Sequence, residues 1–385
     1  MQGAAEPGRV NGGCVRILLL SAYHAASHAL WAEGLIRALP EHDWTLLTLP
    51  PRYFRWRVRG NSLSWALMEK ATLEADYDLL LATSMTDLSA LRGLCPALCA
   101  LPTVLYFHEN QFAYPDSGRQ FDSVEPQMLS VYSALAADQL VFNSEYNRTT
   151  FLAGAEKLLK KMPDFCPVEA VMRCFSSSSL LPVGIDLWPA PEPRSSSGRL
   201  HIVWNHRWEY DKGPERLLAI VSACDAAGVE LDLSIVGQQF RQQPREFAEI
   251  ERVLAGSACL ALRHWGFVES GDDYRNLLAS ADVVLSTAIH DFQGLAVLEA
   301  VAAGCRPLVP RRLCYPEWFS GDYFYADKGS DIEGEGRAVA AEVQRLIRLK
   351  RQGELVVPDI GKLAWSSLAP RYSEMFSRRL AEARQ

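Results

Sequence analysis

One rhythm, run twice, constrains this chain more than any other feature. Short apolar stretches alternate with segments of helical spacing. In the first pass the stretches are VRILLLS (15–21), WTLLTL (44–49), DLLLAT (78–83), TVLYF (103–107) and QLVF (139–142), with helical patterns near 27–39, 124–137 and 145–161. Apolar runs separated by helices build parallel sheets covered on both faces. LWPAPEPRSSSG (187–198) then interrupts with linker-like Pro and Ser. The rhythm restarts with RLHIVWN (199–205), ELDLSIVG (230–237), ADVVLST (281–287) and RPLVP (306–310), with helices at 214–227 and 295–304.

The expected fold is therefore α/β, with two Rossmann-like domains facing an interdomain cleft. A length of 385 residues suits two domains of ordinary size. The segmentation reads as a flexible N-terminus (1–14), a first domain (15–186), a linker (187–198), a second domain (199–363) and a C-terminal helix (364–385). In that helix Tyr372, Met375 and Phe376 fall at helical spacing. No GxGxxG and no GxxxxGK[ST] follows any of the strands, which counts against dinucleotide and P-loop chemistry.

A net charge of -7 gives no general polyanion signal, so any nucleic acid must meet a local patch. The 9 cysteines show no CxxC pair; Cys95 and Cys99 in CPALC come nearest, and buried free thiols in a reducing cytoplasm are expected. MQGAAEPGRVNGGC has no signal-peptide pattern, and 15–20 is too short to span a bilayer, so no membrane role is expected. Asn147-Arg148-Thr149 spells a glycosylation sequon that this context makes a coincidence.

Five segments carry the chemistry. In HDFQGLAVLEAVAAGC (290–305) a strand, a loop and a helix start follow one another. A helix start offers free N–H groups and the positive dipole end to a phosphate, and Gly294 and Leu295 open it. Asp291 in the loop and Glu299 one turn in would address a sugar and a ribose; the plain alternative is a surface acid and an ordinary helical Glu. NHRWEYDKG (205–213) follows the first strand of the second half, with Arg207 and Lys212 placed to neutralise a departing diphosphate, or else merely solvated. YFHENQFAYP (106–115) ends a strand, so His108, Glu109, Asn110 and Gln111 should face a ligand. His108 either takes a proton or only hydrogen-bonds a sugar; the residues leave both open.

SAYHAASH (21–28) holds His24 and His28 four apart with no third metal ligand in view, so no metal is expected there and Ser27 reads as a helix cap. PRYFRWRVRG (51–60) alternates Arg52, Arg55, Arg57 and Arg59 with Tyr53, Phe54 and Trp56. Arg pairs with phosphates and aromatics stack on bases; the alternative is a loop pinned by aromatics with solvated Arg. Lys157, Lys160, Lys161 and Arg173 would extend that patch.

The acidic-x7-acidic pattern resembles that of family 4 glycosyltransferases, with Asp291 where Glu is usual. YHAASH, TLPPRYFRWRVRG, YFHENQFAYP, LVFNSEYNRTTFL with its trailing KLLKKMPDF, and HDFQGLAVLEAVAAGC together resemble the tRNA-queuosine α-mannosyltransferases, over roughly Val15 to Glu317. The resemblance implies a GT-B fold whose C-terminal helix crosses back to the first domain. It implies a first domain that takes tRNA and a second that takes the donor. It implies a metal-independent, retaining transfer of mannose from GDP-mannose, as co-substrate and without a cofactor, to the cyclopentenediol of queuosine at the tRNA wobble position, tRNA-Asp included. The expected site is then His108, Arg207, Lys212 and Asp291 for catalysis, and Arg207, Lys212, Gly294, Leu295 and Glu299 for the donor. His28, Arg52, Arg55, Trp56, Arg57, Arg59, His108, Glu109, Asn110 and Gln111 would take the acceptor. Two alternatives stay open: another acceptor (lipid, glycan or metabolite), and a non-catalytic nucleotide-sugar or RNA-binding module.

Overall fold

The inner strands of this chain are buried on both faces, which is why their sequences are continuous rather than alternating. The computed structural model describes residues 14–115, 123–188 and 196–384. The expected flexible lead-in (1–14) and linker (187–198) fall largely on residues 1–13 and 189–195, outside the described residues. Contact clustering divides the chain into two units. The first holds the described residues before Tyr114, those from 123 to Gly184 and those from Trp365 onward; the second holds Tyr114, Pro115 and Ile185–Ala364.

The first unit carries β1 (Arg16–Ser21), β2 (Asp43–Thr48), β3 (Leu79–Thr83), β4 (Thr103–Phe107), β5 (Gln139–Phe142) and β6 (Ser179–Leu180). They form one parallel sheet in the order β2-β1-β3-β4-β5-β6. All five residues of β3 and of β4 are buried. The second unit carries β7 (Leu200–Asn205), β8 (Leu231–Val236), β9 (Leu260–Gly266), β10 (Val283–Leu285), β11 (Arg306–Pro310) and β12 (Phe324–Tyr325). Its parallel sheet runs β12-β11-β10-β7-β8-β9. In each sheet the winding reverses beside the first strand: β1 lies between β2 and β3, and β7 between β8 and β10. Doubly wound sheets bind ligands outside the strand C-termini at that reversal.

The helix Trp365–Ala383 belongs to the first unit. Its Tyr372 hydroxyl accepts a hydrogen bond from the Trp31 indole at 2.9 Å and donates to the Pro182 carbonyl at 3.0 Å. Trp31 in turn stacks on Tyr106, so this terminal helix buttresses the end of β4.

Two local expectations are corrected. The helix Ala26–Ala38 has Ala25 at its cap position with no side-chain cap bond, so Ser27 lies inside the first turn instead of capping it. Much of PRYFRWRVRG is not a loop but the start of the helix Phe54–Met68. Of the second basic cluster, Lys157 lies in the last turn of the helix Glu145–Leu159, whose 15 residues span about 22 Å, and Lys160 and Lys161 follow it. Lys160 pairs with Glu156 and Arg173 with Glu169.

Among the described residues no helix is long and apolar enough to cross a membrane. The nine cysteines are free; Cys95, Cys224, Cys305 and Cys314 are buried, whereas Cys14, Cys99 and Cys174 are exposed, contrary to a uniformly buried set. Asn147 of the apparent sequon is fully buried and hydrogen-bonded, so it is no glycan acceptor in the folded chain.

Candidate functional site

In the second unit the reversal point collects the residues that leave β7 and β10. After β7 come His206, Arg207, Glu209, Asp211 and Lys212; after β10 come Thr287, His290, Asp291 and the helix Leu295–Ala302. The two loops are laced together. The Thr287 hydroxyl donates to the Lys212 carbonyl at 2.7 Å, and the backbone N–H groups of Ile289 and His290 donate to the Asp211 carbonyl at 3.0 and 3.1 Å.

Lys212 is buried at 8% exposure, so its ammonium needs partners. Nζ donates to the His290 carbonyl at 2.8 Å and lies 3.3 Å from Asp211 Oδ2 and 3.8 Å from Asp291 Oδ2. Arg207 is half exposed and reaches Glu209 at 2.5 Å and Asp211 at 3.5 Å. Burial alone would raise the Asp211 carboxyl, but the Lys212 ammonium, His290 and Arg207 together hold it well below the usual carboxylate range. Burial, reinforced by Lys212, pushes His206 down to about 4, so its ring is neutral at pH 7. Two cations thus sit in one concentrated field, fixed before any ligand arrives.

Asp291 closes the second loop on itself. Its Oδ1 accepts the Gly294 N–H at 3.1 Å and its Oδ2 accepts the Tyr315 hydroxyl at 3.2 Å. Gly294 has φ 74°, and a Cβ there would lie 2.8 Å from the Tyr315 ring, so packing as well as backbone demands glycine. Leu295 begins the helix and is half-buried. One turn on, Glu299 Oε2 accepts the Tyr274 hydroxyl at 3.3 Å; that hydroxyl also accepts from Asn205 Nδ2 at 2.9 Å. Burial, only partly offset by Tyr274 and reinforced by Asp186, pushes the Glu299 carboxyl up to about 7.

In the first unit the C-terminal ends of β1 and β4 bring histidines together. The His108 ring lies tilted against His28 at 4.2 Å and against Tyr106 at 4.7 Å, and meets Trp31 edge-on at 4.8 Å. His28 Nδ1 hydrogen-bonds the Tyr23 carbonyl, and His24 Nδ1 the Ser21 hydroxyl at 3.0 Å. Burial, then His28 and His24, hold His108 far below its ordinary value, so its ring is neutral. Its buried Nε2 has no protein partner, which suits an atom waiting for a ligand. Glu109 and Gln111 are half-buried beside it. The Glu109 carbonyl accepts from Ser84, and Gln111 Nε2 meets the Met85 sulfur at 3.8 Å.

Several acceptor candidates are placed differently from expectation. Asn110 directs its amide at Asn147 and Thr150, and its oxygen accepts the Phe112 N–H; buried to 1% exposure, it orders the loop and offers a ligand nothing. Arg57 is buried at 8% exposure. Arg59 is held by Asp87 at 2.9 Å and Glu125 at 3.2 Å. Arg52, Arg55 and Trp56 are exposed. The residue reading missed Tyr274 and Asn205, which orient Glu299, and Asn143 and Asn147, which fix the His108 backbone through bonds to the carbonyls of His108 and Phe107. Their letters in NSEYN were visible, but nothing local ties them to a strand 35 residues earlier.

Residues 16–185 match the family model described as tRNA-queuosine alpha-mannosyltransferase N-terminal. A tRNA-queuosine alpha-mannosyltransferase of Drosophila melanogaster is 28% identical over 376 residues, covering 95% of this chain and 97% of that protein. A GDP-mannose-dependent alpha-(1-6)-phosphatidylinositol dimannoside mannosyltransferase of Mycobacterium tuberculosis (strain ATCC 25177 / H37Ra) is 30% identical over 177 residues, 43% of each chain. Among solved structures, Anabaena HepE in complex with UDP and glucose superposes with a TM-score of 0.64 at 14% identity, over 94% of this chain and 100% of that one. The Candida albicans trehalose-6-phosphate phosphatase N-terminal domain gives 0.65 at 13% identity, over 98% of each. The structural likenesses identify the GT-B fold.

Proposed function

We propose that this glycosyltransferase, whose residues 16–185 are a tRNA-queuosine alpha-mannosyltransferase N-terminal domain, moves mannose from GDP-mannose onto the cyclopentenediol of queuosine at the wobble position of tRNA, tRNA-Asp among them. The observation that carries the reading is the preset pair of cations, Arg207 and Lys212, laced to the Gly294-capped helix at the reversal point of the second sheet. Such a site neutralises a departing diphosphate with side chains and helix N–H groups, so no metal enters the scheme. Glu299 takes the ribose hydroxyls and Asp291 orients the sugar. In the first unit His108 meets the transferred sugar or the acceptor hydroxyl through Nε2.

The balance is simple. The bond from the anomeric carbon to the diphosphate oxygen breaks, and the bond to the acceptor oxygen forms. The hydroxyl proton leaves with GDP on the same face, so configuration is retained. An acceptor of this kind places the enzyme in the cytoplasm.

Incubating queuosine-containing and queuosine-free tRNA with a panel of nucleotide sugars should give a one-hexose mass increase in queuosine only, and only from GDP-mannose. Transfer from UDP-glucose instead, or to queuosine-free tRNA, would remove the reading.

The position of Glu299 adds a pH dependence. The carboxylate accepts hydroxyl hydrogen bonds more strongly than the neutral acid, and burial pushes this group up to about 7. Affinity for GDP-mannose should therefore rise between about pH 6 and 8, and Glu299→Gln should flatten that rise. GDP-mannose is the right probe, because a free terminal phosphate would itself titrate near pH 6. In the ligand-free protein the sign reverses. A carboxyl raised on folding binds its proton more tightly folded than unfolded, so its contribution to stability falls as pH climbs from about 4.5 to 7. Donor affinity independent of pH in calorimetric titrations would remove Glu299 from the ribose.

A further inference from the structure

The start of the helix Phe54–Met68 presents aromatic rings to solvent in a fixed arrangement that folding alone does not require. Tyr53 is 72% exposed and Trp56 53% exposed, on a helix whose other face buries Val58 and Trp65. Trp56 lies flat over Gly60, so closely that a Cβ on residue 60 would sit 2.3 Å from the indole. Tyr53 is locked at φ 54°, the left-handed region that a bulky side chain adopts only under constraint. The Arg52 guanidinium lies over the Tyr53 ring, 5.7 Å from its centroid.

Two observations say what this surface is for. The first is charge. Exposed Arg52 and Arg55 flank the rings, so guanidinium groups stand beside the aromatics in a chain whose net charge is -7. The second is place. Phe54 packs edge-on against Tyr23 at 6.0 Å, and the Tyr23 carbonyl holds His28, whose ring packs tilted against His108. The rings therefore stand at the same strand-end edge of the first sheet as the histidine expected to meet the acceptor.

We infer that Tyr53 and Trp56, with Arg52 and Arg55 beside them, form a stacking platform for unpaired bases of the substrate RNA, and that Gly60 is the seat that holds Trp56 in its stacking pose. Flat aromatic faces next to guanidinium groups bind splayed loop bases with little regard to sequence. A queuosine at the wobble position lies in such a loop. The inference rests on the reading that tRNA is the acceptor and adds which surface grips the loop.

The test measures binding of a queuosine-containing tRNA and of its isolated anticodon stem-loop to the full chain, alongside mannosyl transfer and thermal melting. Trp56→Ala should weaken RNA binding about tenfold, the size of one lost base stack, and Trp56→Phe should restore most of it. Gly60→Ala keeps the indole but evicts it from its seat; it should weaken binding severalfold while the helix melts no lower, since alanine favours helix over glycine. Trp56→Ala binding both RNAs as tightly as the unaltered chain would overturn the platform. So would loss of binding to phosphatidylserine vesicles in place of RNA. If RNA binding depends on Trp56 but no hexose is transferred, the platform stands and the reaction assigned above falls.

Discussion

Lys212→Ala is expected to lower turnover by about 10²- to 10³-fold, the usual cost of removing one preset group that stabilises charge developing in a transition state. The ammonium is held by the His290 carbonyl at 2.8 Å and by Asp211 and Asp291 at 3.3 and 3.8 Å, so it needs no reorganisation to meet a diphosphate. It is also a strut. Asp211 is buried, and without Lys212 it keeps only half-exposed Arg207 and the His290 ring, at 3.5 and 3.8 Å. A stability loss of about 1–3 kcal/mol should accompany the loss of turnover, less than for a wholly abandoned buried charge. Lys212→Met, which keeps the volume, should fail as badly in transfer. The decisive measurement is transfer rate well below the melting temperature. A rate within about threefold of the unaltered chain, with lowered melting, would make Lys212 a structural ion only and leave the diphosphate to Arg207.

What the sequence made legible follows burial. Strands β1 to β5, β7, β8, β10 and β11 were each visible as apolar runs, because both faces of a parallel sheet are covered. Strand β9 was not. Its LALRHWG exposes the middle of an edge strand, so charge and apolar residues mix. The helix Phe54–Met68 hid for the opposite reason. Its inward positions include Arg57, Asn61 and Ser62, and Asn61 turns its amide onto the backbone carbonyls of Arg57, Val58 and Met85. A periodicity count that scores those residues as polar sees no stripe.

The site divides in the same way. Arg207, Lys212, Asp291 and Glu299 stand out because charge beside a strand end or helix start has a recognisable local setting. Their orienting partners do not. Tyr274 reaches Glu299 from 25 residues away, and Asn147 reaches the Phe107 carbonyl from 40. Only the winding of the sheet brings such pairs together, and neither letter announces it. Asn110 shows the converse error: at a strand end it looks like a ligand group, yet its amide is spent on Asn147 and Thr150 inside the fold.

Glu335→Ala carries the largest expected effect on stability, and nothing near Glu335 in sequence hints at it. Its carboxylate, 0% exposed, lies on the inward face of the helix Ile332–Gln352 and receives two guanidinium groups on Oε2, Arg216 at 2.7 Å and Arg312 at 3.3 Å. Removing it leaves two poorly solvated cations facing each other, with Arg312 retaining Asp327 at 2.9 Å. The loss should be about 3–5 kcal/mol, the range for a buried ion pair stripped of one partner. At about 2–4 °C per kcal/mol for a unit of this size, melting should fall by about 6–20 °C. The same network holds the proposed donor site from behind. Arg312 donates to the carbonyls of Ala288 and Thr287, where the loop to Asp291 begins, and Arg216 follows Lys212 by one turn. Exchanging the three charged residues together for apolar ones of similar volume should restore melting without restoring donor affinity, because packing replaces the ions but not the two bonds to the loop. Melting of Glu335→Ala within about 2 °C of the unaltered chain would show that the guanidinium groups find other partners, and the network would then hold neither the fold nor the loop.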